Sequence, residues 1–179
     1  MEWGVAAHVW FNQEGALSKR FSWGHININV SDLERSMVFY EQLGFSVLLP
    51  GIPYLGLRID QSCALEASAA AALGLPAGTM GRACIMQLDN GFPKLDLTEL
   101  AHPSPQSPLA NRDLGLVRFC LASQNLQADY EHLLAVGVEF LSPPTSCGER
   151  LADVAVCKDP DGTLIELIQI YLERWQLPE

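Results

Sequence analysis

The chain is expected to be an α+β protein of two tandem β-α-β-β-β modules, whose curled mixed sheets form around a cleft. Three observations predict this. Residues 24–49 (GHININVSDLERSMVFYEQLGFSVLL) and 117–142 (VRFCLASQNLQADYEHLLAVGVEFLS) register without a gap at a shift of 93 positions. Each stretch passes from alternating apolar residues to a helical stripe and back. Each half then closes on a glycine turn feeding a strand with an acid at its centre.

In the first half, HININV alternates with period two, which places Ile26, Ile28 and Val30 on one face and His25, Asn27 and Asn29 on the other. Ser31 and Asp32 offer helix-capping oxygens. Leu33, Met37 and Tyr40 form an apolar stripe, and Gly44 stops the helix. In the second half Asn125 is the expected cap, Leu126, Tyr130 and Leu133 the stripe, and Gly137 the stop. The closing strands are KLDLTEL after Asp89-Asn90-Gly91 and TLIELIQI after Asp159-Pro160-Asp161-Gly162. They centre on Asp96 and Glu166.

These elements divide the chain into an extension (1–20), a first module (21–101), a linker (102–112), a second module (113–171) and a tail (172–179). The linker is marked by HPSPQSP, and the first module carries an insertion at 52–79 with an Ala-rich helix expected over 64–73.

Composition narrows the function. Hydrophobic residues make up 49% and charged residues 18%, as in a folded chain. The net charge of −10 repels phosphate backbones, so nucleic acid is not an expected partner. The start shows no basic region leading into an apolar run, and no stretch is apolar enough to span a bilayer. A cytoplasmic location without membrane contact is therefore expected. The five cysteines are scattered singly. No disulfide framework or zinc ribbon follows from them, and Cys84, Cys120 and Cys157 are expected in the core.

Polar residues facing inward on a strand need a partner or a task. The repeat puts four ionisable side chains at equivalent strand positions: His25 and Arg118 open the first strands, and Asp96 and Glu166 centre the last ones. Asn27 and Thr98 share the face of His25 and Asp96, whereas Glu99 lies on the opposite face. His8, His102 and His132 show no site-forming spacing. Trp3, Trp10, Trp23 and Trp175, near the chain ends, are expected to seal the core or an interface.

The stretches GHININVSDLERSMVFYEQLGF, KLDLTEL and DPDGTLIELIQI resemble the vicinal-oxygen-chelate superfamily, which groups glyoxalases, bleomycin resistance proteins and extradiol dioxygenases. The resemblance covers about residues 21–171 and is nearest the lactoylglutathione lyase and methylmalonyl-CoA epimerase-like branch. It implies paired β-α-β-β-β modules, a small-molecule substrate or ligand and a homodimer. In metal-using members four equivalent positions carry ligands, and His25, Asp96 and Glu166 match three of them. The remaining position, normally His, is Arg118 here. A guanidinium has no lone pair to give a cation.

Two readings follow. In one, His25, Asp96 and Glu166 hold Fe, Mn, Ni or Zn, and Arg118 steadies an anionic substrate group. In the other, Arg118 neutralises the acids without metal, and His25 moves protons. Either suits a lyase, isomerase or cyclase acting on a small carbonyl-bearing or enolisable metabolite. Catalysis would fall to His25, Glu166 and Arg118, and ligand binding to Asn27, Asp96, Thr98 and Arg118. The alternative function is a non-catalytic protein that sequesters an antibiotic or metabolite, for which an aromatic-lined groove is expected.

Overall fold

The computed structural model describes residues 22–103 and 107–175. The extension, part of the linker and the end of the tail lie outside these residues.

The first module contains β1 (His25–Asn29), α1 (Leu33–Gln42), β2 (Phe45–Leu49), β3 (Gly51–Ile52), β4 (Leu57–Arg58), β5 (Cys63–Ala64), α2 (Ala67–Ala72), β6 (Met80–Leu88) and β7 (Lys94–Leu100). The second contains β8 (Arg118–Ala122), α3 (Leu126–Ala135), β9 (Glu139–Phe140), β10 (Thr145–Cys147), β11 (Ala152–Lys158) and β12 (Leu164–Ile170).

One sheet runs β1-β7-β6-β2 with β5 also on β6; the other runs β10-β11-β12-β8 with β9 also on β11. In each, the opening strand lies parallel to the closing one and the remaining pairs are antiparallel. The registers repeat as well. His25 lies opposite Lys94 and Asn27 opposite Asp96; Arg118 lies opposite Leu164 and Cys120 opposite Glu166.

Both long helices are capped alike. The Asp32 side chain accepts from the Arg35 N–H, and the Asn125 side chain from the Ala128 N–H. Gly44 and Gly137 follow the helices at φ +92° and +91°, a left-handed turn that a side chain would strain. The α1 stripe differs from expectation. Leu33, Ser36, Phe39 and Tyr40 are its buried residues, and Met37 only packs against the core edge. The helix is rotated so that the Phe39 and Tyr40 rings stack edge to face with each other, and Tyr40 with Phe45. The insertion helix is also shorter than expected, because Cys63 and Ala64 join β6 as strand β5.

One core spans both modules. Ile28, Val30, Leu33 and Leu97 of the first belong to the same cluster as Leu126, Ala155, Ile165 and Leu167 of the second. A second cluster lies on the other face of the first sheet, where Ile52, Leu55, Leu57, Leu65 and Ala70 from the insertion cover Ala83 and Ile85 of β6. Each large aliphatic side chain sealed there contributes about 1.5–3 kcal/mol. Among the described residues the corresponding face of the second sheet has no such cover: Arg118, Cys120 and Ala122 are exposed, and Val154, Val156 and Glu166 are partly exposed.

Three residues expected to be buried depart from expectation. Cys84 and Cys157 are fully buried, but Cys120 shares the uncovered face of β8 with Arg118. Trp23 is 71% exposed, and Trp175 lies at the surface with its indole N–H donating to the Leu151 carbonyl at 3.2 Å. Neither seals the core. Trp3, Trp10 and His8 fall outside the described residues.

Candidate functional site

The strand registers place the expected polar residues in two pairs, one in each module. In the first, His25 Nδ1 lies 3.6 Å from Asp96 Oδ2. The parallel β1–β7 ladder causes this, since both side chains stand on the face opposite the shared core. Asp96 is 1% exposed and the His25 side chain 35% exposed, so a sheltered carboxylate backs an imidazole open to solvent. One row further on, the Thr98 hydroxyl donates to Asn27 Oδ1 at 3.0 Å. Asn27 Nδ2 in turn donates to Asn29 Oδ1 at 3.1 Å.

The insertion supplies a further residue that sequence reasoning missed. Tyr54, on the 3-10 turn Pro53–Leu55, points its hydroxyl at Asp96 Oδ2 from 3.3 Å. Burial and the Asp96 charge push this phenol up to about 12. Burial likewise raises the Asp96 carboxyl above its ordinary value, against the opposing pull of His25 and the Tyr54 hydrogen bond. Its other oxygen, Oδ1, is buried with no hydrogen-bond partner among the described residues. A Tyr just inside an insertion, beside Pro53 and before Gly56, gives no sequence signal of its own, because only the tertiary fold carries it to Asp96.

In the second module, Arg118 Nε donates to Glu166 Oε2 at 2.5 Å, and its Nη1 donates to Asn111 Oδ1 at 3.0 Å. Asn111 comes from the end of the linker and was not anticipated. The neighbouring Cys120 thiol is pushed up to about 11 by burial and by Glu166. Beside this pair a cavity of about 530 Å³ opens beneath the linker, lined among others by Leu109, Asn111, Arg112, Leu141 and Leu164.

The resemblance raises a divalent metal, and the donors do not fit one. Glu166 is committed to Arg118, which cannot ligate. No group of three or more His, Cys, Asp or Glu side chains among the described residues could hold a metal ion. His25, Asp96 and Glu166 therefore do not form the three-ligand set of the first reading.

Glu99 lies on the opposite face, as expected, and has structural work there. It accepts from the Leu33 N–H at 2.7 Å and from Arg82, which also bonds Glu34. The acids of the DPDG turn are structural too. Asp159 Oδ2 accepts the Tyr40 hydroxyl at 3.0 Å, and Oδ1 accepts the N–H groups of Asp161 and Thr163. Asp161 accepts from the Ser31 N–H and hydroxyl and from Arg35.

Comparison with known proteins agrees with this architecture. A glyoxalase family protein from Bacillus cereus superposes with a TM-score of 0.67 at 17% identity, covering 88% of this chain and 99% of its own. A glyoxylase/bleomycin resistance protein/dioxygenase domain from Frankia gives 0.57 at 17% identity, covering 87% of this chain and all of its own. A glyoxalase I mutant from Zea mays gives 0.55 at 18% identity, covering 80% of this chain but 43% of its own. No curated protein matches the chain. No helix among the described residues is long and apolar enough to cross a membrane. The model of one family matches residues 22–167, and the chain belongs to that family, the Glyoxalase/Bleomycin resistance protein/Dioxygenase superfamily.

Proposed function

We propose that the protein is a lyase- or isomerase-type enzyme that moves a proton at a small carbonyl-bearing metabolite, using side chains rather than a metal. The observation that carries this reading is the His25–Asp96 pair, a solvent-facing imidazole held 3.6 Å from a buried carboxylate. Neutral His25 takes a proton from the carbon next to a carbonyl, and the electron pair moves onto the carbonyl oxygen. Asp96 steadies the imidazolium that forms. Tyr54, already aimed into the pair, offers its O–H to the enolate oxygen. His25 then returns the proton to a neighbouring carbon, which completes an isomerisation. Asn27 and Thr98 line the same face. Glu166 and Asn111 fix the guanidinium plane of Arg118 in the second module.

The test is proton exchange. A panel of 2-oxo acids and 2-acyl thioesters in D₂O is followed by proton NMR for loss of the α-hydrogen. At least one probe is expected to exchange with the protein and to stop with His25→Gln. Absence of exchange above buffer, or equal exchange by the variant, overturns the reading.

Sequestration without turnover is the alternative, and it called for an aromatic-lined groove. A homodimer belongs to the same proposal. It is supported by exposed Val38, Leu134 and Val136 and is tested by sedimentation.

A further inference from the structure

We infer that the cavity beneath the linker is a binding site for a small organic anion with an apolar body, headed by a carboxylate or phosphate. Its volume of about 530 Å³ lies in the range of small-molecule sites. Leu109, Leu141 and Leu164 supply an apolar wall. Among the described residues most of the charges around it have partners. Lys158 is bonded to Glu139, so its ammonium is matched. Asp161, the acid of the lining, is taken up by Ser31 and Arg35. The nearby Asp113 carboxylate turns back to accept the Ala110 N–H at 2.7 Å. Arg112 makes no ion pair among the described residues, and it stands on the wall beside Asn111.

Arg112 thus presents a planar, permanently charged fork that matches two oxygens of an anion. Asn111 ties this wall to Arg118, and Arg112 is a local cation on a chain that is acidic as a whole. An acidic chain repels anions in general, and a local cation beside an apolar wall is selective for an anion that also has something to bury. This inference does not depend on the acid–base reading of His25, since it concerns a different module and a binding event without chemistry.

The experiment is titration of the ¹⁵N-labelled full chain with hexanoate, hexyl phosphate and hexylammonium, following backbone amide shifts. Hexanoate or hexyl phosphate is expected to shift the amides of Asn111, Gly162 and Leu164, and the stronger of the two identifies the head group. Hexylammonium is expected to leave them in place. Arg112→Gln is expected to weaken the response at least tenfold. Leu109→Glu, which sets a carboxylate against the wall, is expected to abolish it. No shift with either anion, an equal shift with hexylammonium, or an undiminished response in both variants overturns the inference.

Discussion

The Tyr40 hydroxyl donates to Asp159 Oδ2 at 3.0 Å, joining the helix of the first module to the closing turn of the second. Tyr40 is fully buried and Asp159 nearly so. Burial, with the nearby Asp159 charge adding to it, raises the Tyr40 phenol far above its ordinary value, so it remains a donor at every working pH. Removing the acceptor leaves three donors short: the phenol and the N–H groups of Asp161 and Thr163.

Asp159→Ala is therefore expected to cost about 3 kcal/mol or more and Tyr40→Phe about 1 kcal/mol, with the pair less than additive. Asp161→Ala, which breaks only exposed contacts with Ser31 and Arg35, is expected to cost under about 1 kcal/mol. Urea unfolding of the four variants measures this. Equal losses for Asp159→Ala and Asp161→Ala would show that the buried bond does not couple the modules.

The two helices share a device that the repeat predicts only in part. The first helical N–H of α1, at Leu33, donates to Glu99 Oε2 at 2.7 Å, and that of α3, at Leu126, donates to Gln169 Oε1 at 2.9 Å. Both acceptors stand three residues past the central acid of a closing strand. Glu99→Ala and Gln169→Ala are each expected to lose about 1 kcal/mol, and Glu99→Gln to retain most of it. Chemical denaturation decides the matter; a Glu99→Gln loss as large as that of Glu99→Ala would assign the effect to Arg82 instead.

Much of the fold was legible because it is written in local periodicity. The alternation of HININV, the cap at Asp32 and the stop at Gly44 need no distant partner to be read, and the 93-residue shift doubles each signal. The placement of His25 beside Asp96 followed from strand parity once the ladder was assumed. What stayed hidden depends on tertiary packing. Tyr54 reaches Asp96 only because the insertion folds across the first sheet. Asn111 reaches Arg118 only because the linker doubles back. Cys120 was read as core because its neighbours Phe119 and Leu121 are apolar, yet its own parity places it on the uncovered face. The repeat put four ionisable side chains at equivalent strand positions, and only the fold shows that each acid is matched within its own module.

Tyr54 gives a test that separates catalysis from packing. Tyr54 is exposed, and its hydroxyl donates to Asp96. Tyr54→Phe is expected to leave stability within about 0.5 kcal/mol, because the ring stays in place. Proton exchange on the responsive probe is expected to fall roughly a hundredfold to a thousandfold, as when one aimed donor is removed from a developing oxyanion. The fall should appear in kcat more than in KM. Unchanged exchange would make Tyr54 a cover for Asp96 and nothing more.

Asp96 makes a pH-dependent prediction whose sign is fixed by its burial. Its carboxyl is held above the ordinary value, with desolvation as the largest cause and His25 and Tyr54 only partly opposing it. The folded state thus holds this proton more tightly than the unfolded chain does. The stabilising contribution is fully present below the unfolded carboxyl value of about 3.9 and is lost as pH rises through the folded value. Above that point the ionised carboxylate carries a desolvation cost that a neutral amide of the same shape does not. Asp96→Asn should therefore gain on the native chain as pH is raised from about 3.5 to 7, whatever constant offset its amide hydrogens introduce. The measurement is the difference in unfolding free energy between the two chains across that range. A difference that is flat, or that moves in favour of the native Asp as pH rises, would mean that His25 pairing outweighs burial, and that Asp96 is an ordinary ion-pair carboxylate held low.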